Sequence, residues 1–418
     1  MISRLAGEEF SPTISFVEFV LIIALLMSLT ALSVDIMLPA LPAIDDYFGI
    51  VDANDRQLII TTYMLGFAVG MPFFGPLSDR FGRKPVLAFG LAVYVIATIG
   101  TMLVEDYSTL LLLRFVQGIG CASPRIVSIA VVRDRFGGRE MAQVMSFVMM
   151  IFVILPVMAP AIGSGILLFG NWQTIFLALL IVGIGIAGWT QFRLPETRSP
   201  HMRQPLSIRW IGKSLKTTVT TRETLGYTIA TTFIFGPIIG YINSAQQIFG
   251  EVFDQNALFP LFFALVAIAL AAAGFLNGRL VGALGMRRLS HGAVIGFIAT
   301  SALHLVLGMG DESHSVWVFC GFLSAQMFFF GIVMPNFNAM AMEPLGEIAG
   351  TAASFIGAVT TAGGAIIGWY IGGLYDGSYV PLLAGYLICG LVGLVIVAIT
   401  ERGRLFAPHH EPLPAAEG

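Results

Sequence analysis

Apolar residues run along this chain in blocks of about twenty or more, broken by short polar stretches. Neither a strict alternation nor a one-sided helical stripe describes the blocks; they are apolar on all sides. A helix needs about 20 mainly apolar residues to cross a bilayer. Successive blocks cover Phe16 to about Leu38, Leu58–Leu77, Pro85–Val104, Ser108–Val132, Met141–Phe169 and Trp172–Phe192. From Arg193 to Arg222 the chain turns polar and basic, with three prolines. Six more blocks follow, at about Leu225–Gly250, Ala257–Leu280, Leu289–Gly308, Val316–Met340, Ile348–Leu374 and Tyr379–Ile399. The pattern predicts six spanning helices, a linker, and six more. A cleaved leader is the competing reading of the first block. It fails because the block is too long and because Glu8 and Glu9 spoil a basic start.

Composition sharpens this. Of 418 residues, 56% are hydrophobic and 11% charged, against roughly 25% charged in soluble domains. So few charges could not cover a soluble fold of this size. A soluble enzyme, a nucleic-acid binder and a disordered chain are excluded. A transmembrane barrel would alternate polar and apolar residues over about 10 positions, which these blocks do not. The fold class expected is an all-α membrane protein with twelve transmembrane helices. Cys121, Cys320 and Cys389 each lie inside an apolar block without paired spacing or histidine neighbours. They read as small buried hydrophobes, with no disulfide and no metal site expected. The chain lacks a Walker loop and any cluster suited to a nucleophile or a metal, so no cofactor and no enzymatic activity are expected.

Charge sets the expected orientation. An even number of spans puts both termini on one side. Of the 22 basic residues, 19 fall in the tails, in the linker, or after blocks two, four and eight. The opposite loops carry Arg56 and a series of acids such as Asp45, Asp46, Glu251 and Asp254. Positive loops stay in the cytoplasm, so the termini and the linker are expected to be cytoplasmic.

The two sixes repeat. Gly75, Leu77 and Arg80 fall on Gly274, Leu276 and Arg279 when shifted by 199 positions, close to half the chain. A parallel repeat of two six-helix bundles with pseudo-two-fold symmetry explains the match. The expected divisions are 1–192, a cytoplasmic linker 193–222, a second bundle 223–404, and a flexible tail 405–418.

Three segments carry candidate chemistry. The first, after the second block, reads Gly75-Pro-Leu-Ser-Asp79-Arg80-Phe-Gly82-Arg83-Lys84, with Leu87 following. Gly75 and Gly82 allow close helix approach and a tight turn. Arg80, Arg83 and Lys84 hold the segment at the cytoplasmic face. Asp79 could sit at a facing helix N-terminus, or pair with Arg133 or Arg135. The segment resembles the loop signature of the major facilitator superfamily, G-x-L-[SA]-D-R-x-G-R-[KR]-x-x-[LI], at every defined position. The resemblance implies the major facilitator fold, and implies that these contacts stabilise one of two transport states.

The second segment places Asp35 before Ile-Met-Leu38-Pro39-Ala-Leu-Pro42. It resembles the D-x-x-L-P-x-[LM]-P signature of the Bcr/CflA group of drug:proton antiporters. Asp35 is the only carboxylate well inside any block. An ionised acid there costs very roughly 3 kcal/mol, so it needs a proton or a cationic partner. Arg114 stands at a similar depth in block four, in an Arg114-Phe-Val-Gln117-Gly118-Ile-Gly120 stretch resembling the family's R-x-x-Q-G-x-G. The expectation is an Asp35–Arg114 proton-coupling pair, and a static packing pair is the plainer alternative. The third segment is Pro156-Val-Met-Ala159-Pro160-Ala-Ile-Gly163-Ser164-Gly165. Antiporters of the superfamily show G-P-x-x-G-G here; Ala159 and Ser164 depart from it. Pro156, Pro160 and Gly163 still permit a bend and close contact.

Among other polar residues inside the blocks, Tyr63, Gln117, Tyr241, Asn243 and Gln326 are the candidates to line a substrate path, with interhelical hydrogen bonding as the rival role. His304 reads as packing. Arg125 reads as reaching toward the cytoplasmic face. Taken together, the resemblance implies a proton-driven exporter of drugs or other small xenobiotics across the plasma (inner) membrane by alternating access. Its expected partners are a small-molecule substrate, protons and membrane lipid, with no nucleic acid, and it is expected as a monomer. An importer of a small metabolite in the same fold is the alternative. A membrane-embedded enzyme or receptor would need a catalytic cluster or a large soluble domain, and neither is visible.

Overall fold

The computed structural model describes residues 14–406 apart from 53, 200, 202, 204–207 and 311–314. Twelve helices long and apolar enough to cross a membrane lie among them. They are α1 (Phe16–Asp35), α2 (Leu58–Phe81), α3 (Arg83–Leu103), α4 (Tyr107–Arg135), α5 (Gly138–Leu167) and α6 (Trp172–Arg193), then α7 (Arg222–Gln247), α8 (Phe259–Leu284), α9 (Met286–Gly310), α10 (Val316–Met342), α11 (Ala349–Gly373) and α12 (Val380–Thr400). A short helix, Leu41–Phe48, follows α1, and another, Ile208–Thr220, lies in the linker. In hydrocarbon every backbone N–H must find its partner within the segment, so apolar blocks of this length become helices.

The order of packing is itself a repeat. In the first six helices α2 packs on α4, α3 on α4 and α6, and α1 on α4, α5 and α6. Adding six to each label gives α8 on α10, α9 on α10 and α12, and α7 on α10, α11 and α12, all of which are found. The helices that bridge the two sets, α2 with α11 and α5 with α8, exchange under the same operation. The repeat register differs from the shift of 199. Gly82 closes α2 at φ 103° and Gly285 closes α8 at φ 79°, a shift of 203. Arg83 and Arg287 then follow at the starts of α3 and α9, while Arg279 lies inside α8.

The Gly75–Lys84 segment is less a loop than two helices meeting at one residue. Gly75 to Phe81 complete α2, Gly82 makes the turn, and Arg83 opens α3. Its positive φ is accessible at little cost to glycine.

Close approach depends on missing side chains. A methyl group at Gly118 of α4 would collide with the Tyr63 carbonyl of α2, and one at Gly66 with the Phe115 carbonyl. Both obstacles are backbone, which cannot rotate away. Gly118→Ala is expected to lower stability by about 3 kcal/mol, at the upper end for overpacking. A thermal melt of purified protein checks this, and an unchanged midpoint would contradict the packing described.

Candidate functional site

α1 ends at Asp35 for a local reason. The residue four positions on is Pro39, which has no N–H to donate to the Asp35 carbonyl. The chain tightens into a 3₁₀ turn, Leu38–Ala40, before the short helix resumes. Gly163 of α5 presses on this turn; a methyl group there would strike the Ile36 carbonyl. Pro156 and Pro160 sit inside α5 just before this contact, where Pro160 leaves the Pro156 carbonyl without its helical donor. The Asp35 side chain is buried, at 6% exposure. Among the described residues its carboxylate has neither an ion pair nor a hydrogen bond. It lies within electrostatic range of Tyr241 on α7.

The expected Asp35–Arg114 pair does not form. Arg114 is fully buried and spends its donors on neutral groups. Nε donates to the Ile59 carbonyl at 3.2 Å, Nη1 to Gln117 Oε1 at 2.6 Å, and Nη2 to the Ser33 carbonyl at 3.2 Å. Its guanidinium also lies 4.5 Å from the Tyr63 ring centre. The two residues do share a level, since Ser33 is only two residues from Asp35. Helix rotation decides otherwise: the guanidinium meets the α1 backbone rather than the Asp35 carboxylate. Arg114 thus fastens α1, α2 and α4 together at one level.

The other candidates divide into two groups. Tyr63 and Gln117 are fully buried beside Arg114. The Gln117 amide is used at both ends, since Nε2 donates to Thr98 Oγ1 at 2.7 Å. The second group lies in α7 and α10. Tyr241 stacks on Phe263 at 5.8 Å. Asn243 Nδ2 reaches Thr61 Oγ1 of α2 at 3.4 Å, and Gln326 Nε2 reaches Ser301 Oγ at 3.2 Å. Each of these three keeps a buried oxygen with no hydrogen-bond partner among the described residues: Tyr241 Oη, Asn243 Oδ1 and Gln326 Oε1. Tyr386 Oη of α12 shares that condition and lies in electrostatic range of Tyr241. The sequence gives no signal for it beyond a tyrosine in an apolar run. His304 stacks on Phe322 at 4.7 Å, in keeping with its reading as packing.

At the end of the bundle opposite the linker, the two sets of six are tied by polar contacts. Arg56 pairs with Asp45 at 3.1 Å and with Glu251 at 2.7 Å. Tyr375 Oη donates to Glu251 at 3.1 Å. Gln57 Nε2 donates to Gln247 Oε1 at 2.9 Å and to the Gly372 carbonyl at 3.0 Å. Asn54 Oδ1 accepts from Gln247 Nε2 at 3.0 Å.

At the linker end, Arg83 is buried at 1% exposure. It holds Asp134 at 2.7 Å, Asp79 at 2.8 Å and Ser78 Oγ at 2.7 Å. The partners expected for Asp79 are therefore replaced by Arg83 and, at 3.9 Å, Arg198. The N-terminus of α3 is capped by Glu196, which accepts from the Arg83 and Lys84 backbone N–H groups at 2.9 and 3.0 Å. Arg80 stays exposed beside Phe81, 5.3 Å from its ring centre. Sequence reasoning missed Asp134 and Glu196. An acid beside the arginines ending α4, and one just past α6, were the available signals.

The second set builds a counterpart. Arg287, near the start of α9, holds Glu401 at 3.0 Å and Glu343 at 3.7 Å. Burial works to raise the Glu401 carboxyl, but hydrogen bonds from Tyr227 and Arg287 outweigh it and hold it below the usual carboxylate range.

Comparison with known proteins agrees with this arrangement. The family profile described as Major Facilitator Superfamily matches residues 23–368. A bicyclomycin resistance protein homolog of Haemophilus influenzae is 30% identical over 387 residues, covering 90% of this chain and 94% of that one. The multidrug resistance protein MdtL of Escherichia coli is 28% identical over 386 residues, with 90% and 94% covered. Among solved structures, the xylose transporter XylE from E. coli, in a partially occluded inward-open conformation, superposes with a TM-score of 0.70 at 13% identity, covering 91% of this chain and 97% of that one. The protein is thus a multi-pass membrane transporter rather than an enzyme, and the chain belongs to the major facilitator superfamily.

Proposed function

We propose that this transporter exports drugs or other small xenobiotics across the plasma (inner) membrane by proton-driven alternating access. The observation that carries the reading is Asp35. It is a buried carboxyl at the broken end of α1, with no counter-charge in contact and Tyr241 of the opposite set within electrostatic range. An acid without a fixed cation can exist neutral and release its proton only when its surroundings change, which is what coupling requires. The names of the relatives, bicyclomycin and multidrug resistance, support export of drugs.

In this reading Asp35 carries the proton. Arg114 and Gln117 position the α1 turn that bears it. Tyr63, Tyr241, Asn243 and Gln326 line the substrate path, the unsatisfied oxygens of the last three being free to accept from a substrate. The bundles 1–192 and 223–404 rock about this level, joined by 193–222. The polar ties between Arg56, Gln57, Gln247 and Glu251 hold the outer end shut. The Arg83–Asp79–Asp134 cluster, with Gly75, Gly82, Arg80 and Lys84, steadies the inner end of the first bundle, and Pro156, Pro160 and Gly163 supply the bend beside Asp35. The termini are cytoplasmic, as the basic residues direct, the protein works as a monomer, and the proton gradient replaces any cofactor.

Everted membrane vesicles test this. On energisation they should accumulate rhodamine 123 in a manner dependent on this protein, and a protonophore should return accumulation to the level of vesicles without it. Dye movement in the other direction, or movement indifferent to the protonophore, would overturn the reading.

A further inference from the structure

Arg125 is a half-buried cation that the account above leaves unused. It lies in α4, eleven residues beyond Arg114, which is close to three helical turns and returns it to nearly the same face. That face looks inward. Arg114 meets the α1 backbone, Cys121 Sγ lies 3.3 Å from Thr30 Oγ1 of α1, and the Arg125 guanidinium lies 5.0 Å from the Phe152 ring centre of α5. Among the described residues Arg125 makes no ion pair and donates no side-chain hydrogen bond, and its Nη1 is sealed from solvent. Cys121 lies within its electrostatic range. The Arg125 backbone stands ten residues, about 15 Å, inside the linker end of α4.

A guanidinium inside a membrane bundle is expensive, and such residues almost always meet a partner of opposite charge. Arg114 meets its need with carbonyls, an amide and an aromatic face. Arg125 has the aromatic face alone, and the rest of the residue remains partly accessible. Five donors in a planar fork match a carboxylate, sulfonate or phosphonate.

We propose that Arg125 is an anion-binding subsite of the transport pathway, so that the exported substrates include molecules with an acidic group. The inference rests on the export reading and narrows its substrate class. Taking Thr30 and Cys121 as level, Asp35 lies five residues to one side on α1 and Arg125 four to the other on α4. At 1.5 Å per residue their backbone positions stand roughly 14 Å apart along the bundle axis. A substrate anion can thus sit at Arg125 without competing with the proton at Asp35. A lipid headgroup is the other source of the same chemistry, and the experiment below separates the two.

The test is binding to purified full-length protein in phosphatidylcholine nanodiscs, read by fluorescence anisotropy. Fluorescein (an anion) and rhodamine 123 (a cation on the same ring system) are the probes. Arg125→Met should raise the Kd for fluorescein at least tenfold and leave rhodamine 123 within twofold. Arg125→Lys should retain most of the fluorescein affinity, which separates charge from folding. No fluorescein binding by the wild type, equal binding by Arg125→Met, or parallel loss of both probes would overturn the subsite. Complete displacement of fluorescein by phosphatidylglycerol in the discs would assign Arg125 to lipid and overturn it too. Asp35→Asn should bind fluorescein normally, so failure of the proton-carrier reading shows in transport alone and stays distinguishable.

Discussion

Asp35→Asn should abolish proton-driven export, by about 100-fold or more, the scale on which loss of a positioned proton-transfer group is felt. The same variant should melt within about 2 °C of the wild type. The two halves of this expectation have one origin. Asparagine has nearly the shape of the acid but cannot take up and release a proton. It also removes the cost of holding a charge at this depth, very roughly 3 kcal/mol when ionised. Had Asp35 been locked to Arg114, the change would have stranded a buried guanidinium and cost about 3–5 kcal/mol. Arg114 instead donates to the Ser33 and Ile59 carbonyls and to Gln117, and none of these is touched. Dye accumulation in everted vesicles, with a thermal melt of the same preparation, reads both quantities. Retained export would remove Asp35 from the mechanism, and a collapse in stability would restore the ion pair.

Arg114→Met should do the reverse and fail at the level of folding. The guanidinium satisfies two backbone carbonyls and one amide oxygen, all buried. Each acceptor left unpaired costs about 1–3 kcal/mol. Loss of the contact with Tyr63 adds to that, up to about 2 kcal/mol for a desolvated cation on an aromatic face. Water entry and relaxation recover part of the sum, so a net loss of about 3–5 kcal/mol is expected. Arg114→Lys should fall between, because an ammonium carries three donors on one nitrogen and cannot reach three acceptors spread over α1, α2 and α4. The yield of monodisperse protein and its melting midpoint measure this. A methionine variant as stable as the wild type would show that these bonds hold nothing together.

The contrast between these two residues marks where sequence reading stopped. Both stand out in the chain, and they lie at one level on α1 and α4. The pairing between them was wrong because depth is a one-dimensional quantity. It follows from counting residues along a helix, whereas contact also needs the rotation of each helix about its axis. Asp79 repeats the lesson. Its segment was recognised, but Arg83 and Arg198 hold it in place of Arg133 or Arg135. The capping acid, Glu196, came from 113 positions away. Tyr386 escaped notice because one hydroxyl in an apolar run carries no signal until its neighbours are known.

By itself the sequence determined the twelve spans, the grouping into six and six, and the segments where polar chemistry collects. Those follow from a local rule, that an apolar block in hydrocarbon must close its own backbone hydrogen bonds. The tertiary structure decided which charges meet: Arg83 with Asp134, Arg56 with Glu251, Arg114 with carbonyls, and Asp35 and Arg125 with no opposite charge in contact. Partners 51 and 195 positions apart are chosen by how glycine-lined helices nest and turn against one another, and no local rule contains that.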